Sequence, residues 1–206
     1  MSRREADKLI AGGKIAVNNQ PARVGQIINE DDVIKLNGKK LELKFEKILL
    51  MLNKPAGYIC SRKGQGSKTI YNLLPQKYHH LKPVGRLDKD TSGLLLITND
   101  GELANKLAHP RYQKEKVYHA ALDKPLAKNG VHRLLKGVKL GDGLSKFVSL
   151  KLLNNKTYEV KIAEGRNRQI RRSFAFLGRK VITLRRVRVG KYRLGSLGSG
   201  EYVLLG

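Results

Sequence analysis

A single carboxylate stands among cations in a loop that leads into an apolar stretch. Residues 83–97 open with Pro and Gly, place Asp88 between an Arg and a Lys, and end in four apolar residues. That run is short and is closed by Asn-Asp-Gly, so it predicts a buried strand rather than a helix. Because a buried strand is rigid, the loop before it can hold a carboxylate in place, as an acid, base or nucleophile requires. The alternative is a surface turn in which Asp88 or Asp90 caps the backbone.

Four arginines within eight residues form a second candidate for chemistry. Residues 165–172 read Gly-Arg-Asn-Arg-Gln-Ile-Arg-Arg. Apolar residues recur at i, i+4 and i+7 from Ile170 and a Gly follows, which predicts that the arginines open a helix ending near residue 178. Arg171 should lie at the edge of the buried face, where its guanidinium needs an anion, either Asp88 or a phosphate. A solvated basic helix is the alternative.

The overall charge predicts a polyanionic partner. The 206 residues include 42 Lys and Arg against 17 Asp and Glu, which gives a net charge of +25. Nucleic acid is favoured over an anionic membrane surface, because no basic amphipathic helix carries aromatic residues opposite its charges. No apolar segment approaches the twenty residues of a membrane span, and no signal peptide opens the chain. We therefore expect a cytoplasmic protein without membrane contact.

The residues that usually hold metals and cofactors do not form a pattern. Cys60 is alone, so an intramolecular disulfide is excluded and a reducing compartment fits. The five histidines do not fall at metal-ligand spacing, and no phosphate-binding or dinucleotide fingerprint is present. A metal-dependent nuclease would need clustered carboxylates, which the chain lacks. We expect chemistry that uses neither metal nor cofactor.

The remaining pattern predicts an α+β chain with short elements. A capping box of Ser2 and Glu5 opens a helix over 2–10, and strands are expected at 14–17 and 31–36. These first forty residues cannot bury much core alone. Further along, the predicted elements are strands from 48 and over 94–97, a helix capped by Asp100, a strand at 116–122, a helix over 126–136, a strand and turn over 137–143, and a hairpin of 148–152 with 158–162.

The two candidate segments resemble motifs of the bacterial ribosomal RNA pseudouridine synthases of the RsuA/RluB type. Residues 85–95, Gly-Arg-Leu-Asp-Lys-Asp-Thr-Ser-Gly-Leu-Leu, are similar to the signature loop whose Asp is catalytic, which implies Asp88. In the arginine motif of that family, the Arg after Gln-Ile pairs with the catalytic Asp, which implies that Arg171 pairs with Asp88. Tyr118 matches the tyrosine that stacks on the target base, where the residues alone indicate an ordinary strand aromatic, and Leu184 matches an apolar pocket residue. The resemblance also implies substrate contacts from Arg86, Arg166, Arg168 and Arg172.

The N-terminal segment is similar to the small RNA-binding module shared with ribosomal protein S-four. Residues 2–10 and 13–18 carry the similarity. In that module, basic residues on the second helix contact RNA phosphates, and the matching cations are Arg3, Arg4, Lys8 and Lys14. The first helix of the module has no counterpart, so we expect either a truncated sequence or an incomplete module.

The resemblance implies an enzyme with two domains. A linker at 44–47 joins the S-four-like module at 1–43 to a catalytic domain at 48–206. The catalytic domain is expected to have a mixed, largely antiparallel sheet, flanking helices and a central RNA cleft. The implied reaction converts a flipped uridine of ribosomal RNA, preferably from the large subunit, to pseudouridine. We expect a monomer that acts on free RNA or on a pre-ribosomal particle and needs no cofactor. The alternative is a non-catalytic RNA-binding or ribosome-assembly factor that keeps the same fold.

Overall fold

The computed structural model describes residues 3–29, 31–41, 46–64 and 66–205. The chain divides into two compact units, Met1–Glu46 and Lys47–Gly206. The finer boundaries that we expect, with a linker at 44–47, stay a prediction, and residues 44 and 45 lie outside the described residues.

The N-terminal unit consists, in its described part, of a helix and a small antiparallel sheet. Its elements are α1 (Arg3–Ala11), β1 (Ile15–Val17), β2 (Gln20–Pro21), β3 (Ile34–Leu36) and β4 (Lys39–Lys40), with strand order β2-β1-β3-β4. Asn18 and Asn37 adopt positive φ in the hairpin turns, a conformation that Asn tolerates. The predicted helix and strands are confirmed, although β3 is shorter than predicted. The predicted cap at Ser2 lies outside the described residues.

The second unit is an α+β domain. Its elements are β5 (Leu49–Lys54), β6 (Lys82–Pro83), β7 (Ser92–Thr98), α2 (Gly101–Ala108), β8 (Lys116–Leu122), α3 (Gly130–Lys136), β9 (Val138–Leu140), β10 (Gly143–Ser145), β11 (Ser149–Asn154), β12 (Thr157–Ile162), α4 (Gln169–Phe176), β13 (Val181–Val189), β14 (Tyr192–Arg193) and β15 (Tyr202–Leu205). Short 3-10 turns at Ile70–Leu73, Gln76–Tyr78 and Pro110–Tyr112 connect some of them.

One large sheet forms the framework of this domain. Its strand order is β11-β12-β8-β13-β7-β5-β15, with β14 paired to β13 and β6 paired to β7. In the described part of the sheet, β13 and β7 pair in parallel and the other pairs are antiparallel. The predicted mixed, largely antiparallel sheet is confirmed. Strands β9 and β10 form a separate antiparallel pair.

The strand that follows the Asp88 loop is buried on both faces. Leu95 and Ile97 of β7 belong to one core cluster, while Leu94 and Leu96 belong to a second cluster on the opposite face. All four side chains are at most 1% exposed, and burying each of them contributes roughly 1.5–3 kcal/mol. The predicted buried strand is therefore confirmed, and it anchors the loop before it.

The helices agree with the sequence patterns except in one starting point. Asp100 caps α2, and its Oδ1 accepts hydrogen bonds from the amides of Glu102 and Leu103 at 2.9 and 3.0 Å. Helix α3 begins at Gly130 rather than at 126, and the Leu126 amide before it donates to the Tyr158 hydroxyl at 3.0 Å. The hairpin of β11 and β12 is confirmed. In the described part of the chain, the helices are too short or too polar to cross a membrane.

Candidate active site

A cavity of about 530 Å³ opens in the second unit between the Asp88 loop (residues 85–91) and the arginine segment (residues 165–172). This volume lies in the range of pockets that bind small molecules. The residues from the predicted site that line it are Asp88, Tyr118, Leu184, Arg86, Arg166 and Arg168. Arg171 and Arg172 contribute no lining surface to it. Two segments about eighty residues apart in the sequence therefore face one cavity.

Strands β8 and β13 place a tyrosine and a leucine side by side at the cavity. In their antiparallel register, Arg186 lies opposite Tyr118 and Leu184 lies opposite Ala120. Opposed residues of two strands project from the same face of the sheet, so Tyr118, Leu184 and Arg186 share that face. Tyr118 is 7% exposed and Leu184 is 6% exposed. A mostly buried ring beside an apolar side chain can form the stacking surface for a planar ligand.

A glycine allows the Asp88 loop to approach β13 closely. Gly93 pairs with Arg186 where β7 and β13 run in parallel. Its φ is +104°, and a Cβ at this position would lie 2.2 Å from the backbone oxygen of Arg186. Only a residue without a side chain fits here. The Gly of the signature loop therefore sets the distance between the carboxylate loop and the strand that carries Leu184.

Arg168 contacts both carboxylates of the loop. Its two terminal nitrogens bind the Asp90 carboxylate at 3.0 Å each, and Nη1 lies 3.8 Å from Asp88 Oδ2. Arg168 precedes α4 in a left-handed conformation with φ of 46°. The hydrogen bond from Arg168 is the main reason that the pKa of Asp90 is lowered from its ordinary value of 3.8. The charges of Arg171 and Arg168 also favour the ionised form of Asp90.

Arg171 joins the loop to β13. The predicted pair of Arg171 with Asp88 is not formed. Its Nη1 donates to the Val181 carbonyl and its Nη2 to the Asp90 carbonyl, each at 2.9 Å, and its Nε lies 3.4 Å from the Asp90 carboxylate. The Thr91 amide donates to the Asp88 carbonyl in a turn at 3.1 Å, and Asp90 within this turn is the residue that meets Arg171. Burial lowers the pKa of Arg171, and the Asp90 charge opposes that shift. The charge partner nearest Asp88 is Arg168.

The other two arginines of the segment are engaged by protein acceptors. Arg172 forms a bidentate pair with Asp142 at 2.9 and 2.7 Å. Arg166 binds the Asp142 carbonyl at 3.0 Å and the Glu164 carboxylate at 2.9 Å. These contacts fasten the arginine segment to the turn between β9 and β10. Substrate contacts by Arg166 and Arg172 stay a prediction, and each would have to share its guanidinium with these acceptors.

A buried lysine, not identified from the sequence, supports the loop from below. Lys54 is 0% exposed at the end of β5. Its ammonium donates to the carbonyls of Pro55 at 3.0 Å, Tyr58 at 2.8 Å and Lys89 at 3.5 Å. Burial lowers the pKa of Lys54, and the nearby Asp88 is among the groups that oppose the shift. The Asn-Lys-Pro sequence after five apolar residues was the available signal, because a lysine in a buried strand needs specific partners.

We expect Lys54→Met to lower the free energy of unfolding by about 3 kcal/mol or more, because the carbonyls of Pro55 and Tyr58 lose their charged donor. Urea denaturation measures this change. Lys106→Met is the matched control: Lys106 is exposed on α2, so its replacement should change stability by less than about 0.5 kcal/mol. Equal denaturation midpoints for the two variants would show that Lys54 does not support the loop.

The predicted cations of the N-terminal unit lie on or near α1. Arg4 and Lys8 are exposed one turn apart on the helix, and Lys14 is exposed just before β1. Arg3 begins the helix, and its side chain lies outside the described part of the chain. Exposed cations one turn apart can follow a phosphate backbone. Among the described residues of both units, no group of three or more His, Cys, Asp or Glu could hold a metal ion.

Two family models match the chain. The model described as RNA pseudouridylate synthase matches residues 48–176, and the S4 domain model matches residues 2–34. The first match alone covers more than half of the chain and contains both the Asp88 loop and the arginine segment. The second covers the helix and first strands of the N-terminal unit.

Similar proteins agree with these matches. An uncharacterised RNA pseudouridine synthase of Aquifex aeolicus is 37% identical over 98% of this chain and 84% of its own length. Ribosomal large subunit pseudouridine synthase B of Bacillus subtilis is 38% identical over 97% of this chain and 85% of its own length. Ribosomal small subunit pseudouridine synthase A of Vibrio vulnificus is 35% identical over 98% of this chain and 89% of its own length.

A solved structure agrees in fold as well. The crystal structure of a pseudouridylate synthase superposes with a TM-score of 0.74 at 32% identity, and the match covers 100% of this chain and 91% of that one. The resemblance seen in the Asp88 loop and the arginine segment is thereby confirmed across nearly the whole length. The chain belongs to the RNA pseudouridylate synthase family and is an RNA pseudouridine synthase with an N-terminal S4 domain.

Proposed function

We propose that this enzyme isomerises a specific uridine of ribosomal RNA to pseudouridine, with Asp88 as the essential catalytic group. The observation that carries the proposal is the position of Asp88 in a cavity that Tyr118 and Leu184 also line. The ribosomal substrate rests on the names of relatives that act on the large or the small subunit. A net charge of +25 suits such a polyanion. We favour large-subunit RNA, and a monomer acting in the cytoplasm.

The reaction that we propose begins with base flipping. The target uridine leaves the RNA stack and enters the cavity, which costs a few kcal/mol. Stacking on the Tyr118 ring returns about 1–3 kcal/mol of that cost. Leu184, which lines the same cavity, excludes water from the bound base. The flipped base then lies within reach of Asp88.

Asp88 acts on this flipped nucleotide as nucleophile or base. The bond from uracil N1 to the ribose C1′ breaks, the base turns, and a bond from uracil C5 to C1′ forms; the C5 proton is released and N1 gains a proton. Arg168 Nη1 lies 3.8 Å from Asp88 Oδ2, so a cation faces the carboxylate in this role. Arg171 positions the loop through its bonds to residue 90.

The remaining predicted contacts hold the RNA around this centre. Arg86 is exposed at the cavity rim and is free to meet a phosphate. In this proposal Arg166, Arg168 and Arg172 contact the substrate beside their protein partners. The S4 domain adds a sequence-independent grip through phosphate contacts, and the cations that we assign to it are Arg3, Arg4, Lys8 and Lys14.

Tritium release tests the proposed activity. Ribosomal RNA labelled with tritium at uracil C5 is incubated with the purified protein, and pseudouridines are mapped in ribosomal RNA from cells with and without the gene. We expect release that is stoichiometric with one or a few uridines, and loss of the same pseudouridines in cells without the gene. RNA binding without release, and an unchanged map, would leave only the non-catalytic RNA-binding factor.

We expect Arg171→Lys to reduce kcat about ten- to hundredfold while KM changes little. Arg171 uses a planar fork to reach the Val181 and Asp90 carbonyls at once, and a lysine ammonium cannot span both. Charge-assisted hydrogen bonds of this kind contribute about 1.5–3 kcal/mol each. Steady-state tritium release measures the two constants separately.

Arg179→Lys provides the matched control for that variant. Arg179 follows the same helix and also donates to backbone carbonyls, those of Pro125 and Gly178. Its contacts lie away from the Asp88 loop, so kcat should stay within about twofold. Equal losses in both variants would indicate a general effect on α4 rather than positioning of the loop.

A further inference from the structure

Arg186 is a buried cation at the cavity that lacks a carboxylate partner. The residue is 3% exposed, and it lines the cavity together with Tyr118 and Leu184. Its Nε donates to the Leu94 carbonyl at 2.8 Å. Within the described residues, no carboxylate lies within ion-pair distance of Arg186, and its two terminal nitrogens meet no protein acceptor. The guanidinium therefore keeps donors for a group that enters the cavity.

Lys116 supplies a second cation on the same face. It precedes Tyr118 by two residues on β8, so both side chains project toward the cavity, which Lys116 also lines. A Cβ on Gly165 would lie 4.0 Å from its Nζ, which places the ammonium beside the start of the arginine segment. Burial, and then the charge of Arg186, lower the pKa of Lys116. In the described part of the chain, its protein acceptor is the Lys114 carbonyl at 3.3 Å.

This pair differs from the arginines of the segment and from Arg188. The arginines of the segment, and Arg188 on β13, each lie within ion-pair distance of a carboxylate. Arg186 and Lys116 instead place two positive charges together in a partly buried site, an arrangement that costs free energy unless an anion joins it. Gly93 and the Leu94 carbonyl hold Arg186 in place, so the Arg186 part of the site is preformed.

We propose that Arg186 and Lys116 form an anion subsite in the catalytic cavity that binds the phosphate of the flipped uridine nucleotide. The subsite rests on the proposed function, because that function brings a nucleotide into the cavity. Uracil itself is neutral before the reaction, whereas the phosphate carries its charge throughout. A permanent anion is the better partner for these two cations. The contact would orient the ribose so that C1′ faces Asp88 while Tyr118 stacks on the base.

Binding of small nucleotides tests the subsite without requiring catalysis. Uridine 5′-monophosphate and uridine are titrated into the full-length protein, and the two dissociation constants are measured by NMR. We expect the unchanged protein to prefer the monophosphate at least about tenfold, as hydrogen bonds to a charged group predict. Arg186→Met and Lys116→Met should each reduce that preference to about threefold or less, with uridine affinity nearly unchanged.

Arg185→Met is the matched control for the subsite. Arg185 is the neighbouring arginine on β13 and is exposed on the opposite face of the sheet, so the monophosphate preference should remain. Circular dichroism and thermal denaturation verify that each variant is folded; should Arg186→Met unfold, Lys116→Met still decides, because Lys116 is less buried. A preference retained in Lys116→Met overturns the subsite, and so does an equal loss of uridine and monophosphate affinity.

The proposed function and the subsite fail in different measurements. An unchanged protein that prefers the monophosphate but releases no tritium from any ribosomal RNA would contradict the function and leave the anion site standing. An active protein that binds uridine and its monophosphate equally would contradict the subsite alone.

Discussion

Asp88→Asn is expected to reduce the rate of tritium release roughly 10³-fold or more, and to leave folding and RNA binding intact. In the proposed function, the Asp88 carboxylate is the nucleophile or base for the flipped uridine, and an amide can do neither. Loss of a group in such a role costs about 10²–10⁴-fold for proton transfer, and more where a covalent bond is formed. Single-turnover release with saturating RNA measures the chemical step directly.

The fold should tolerate this replacement. The Asp88 side chain is 32% exposed, and its nearest cation lies 3.8 Å away, so the carboxylate contributes little to stability. Asparagine has nearly the same shape and keeps an oxygen that faces Arg168. Thermal denaturation and RNA filter binding should therefore match those of the unchanged protein.

Asp90→Asn separates the roles of the two neighbouring carboxylates. Asp90 holds Arg168 through two bonds and also meets Arg171, but its carboxylate is not needed for the chemistry that we propose. Its backbone carbonyl still accepts from Arg171 in the variant, so we expect a loss of tenfold or less. A larger loss in Asp90→Asn than in Asp88→Asn would transfer the catalytic role to residue 90.

The sequence was most informative where the local pattern and the chemistry coincide. The Asp88 loop has a turn, a carboxylate and a buried strand in succession, and each can be recognised from neighbouring residues. The same holds for the arginine segment, whose helical spacing after Ile170 predicts the buried side of α4, where Ile170 and Phe174 are at most 4% exposed. Local periodicity was sufficient because the residue spacing that indicates the buried side of α4 lies within that one element.

The arginine partners could not be predicted in the same way. Arg171 was expected to meet Asp88, and it meets residue 90 and the Val181 carbonyl instead. Adjacent positions on a helix point in different directions, and a shift of two residues in the loop exchanges Asp88 for Asp90. The choice depends on how α4 packs against the loop, which no short pattern contains.

Buried cations are the second reason that part of the site was missed. Lys54 and Arg186 are almost fully buried within strands, yet charged residues indicate exposed positions in a sequence pattern. Arg186 also interrupts the apolar alternation of β13, and we did not predict that strand, although it pairs with both β8 and β7 in the main sheet. Residues that break the pattern and line the cavity belong to its chemistry rather than to its core.

Gly93→Ala is expected to destabilise the protein by more than about 3 kcal/mol. The new Cβ would lie 2.2 Å from the Arg186 carbonyl oxygen, at a φ of +104° that side chains rarely adopt. Backbone strain of this kind costs of order 1–3 kcal/mol, and forcing extra volume into a packed site costs about 1–3 kcal/mol more. Relief requires β13 to move away from β7. Urea denaturation measures the loss.

Gly101→Ala is the matched control for this variant. Gly101 opens α2, has an ordinary φ, and has nothing within 4 Å of the position that a Cβ would take. Alanine there should stabilise the protein by about 0.4–1 kcal/mol, because it restricts the unfolded chain. If Gly93→Ala lowers the stability and Gly101→Ala raises it, the cause is the close approach of β13 to residue 93 and not the loss of a glycine in general.

Gly93→Ala should also impair catalysis beyond its effect on folding. β13 carries Leu184 and Arg186 at the cavity, and Asp88 stands just before β7, so separating these strands changes the distance between the carboxylate and the base pocket. A displacement of about 1 Å at a reacting centre can cost 10²-fold in rate. Release assays at a temperature where the variant is still folded should show that loss. Full activity in the folded variant would mean that the loop and β13 need not be in close register for the reaction.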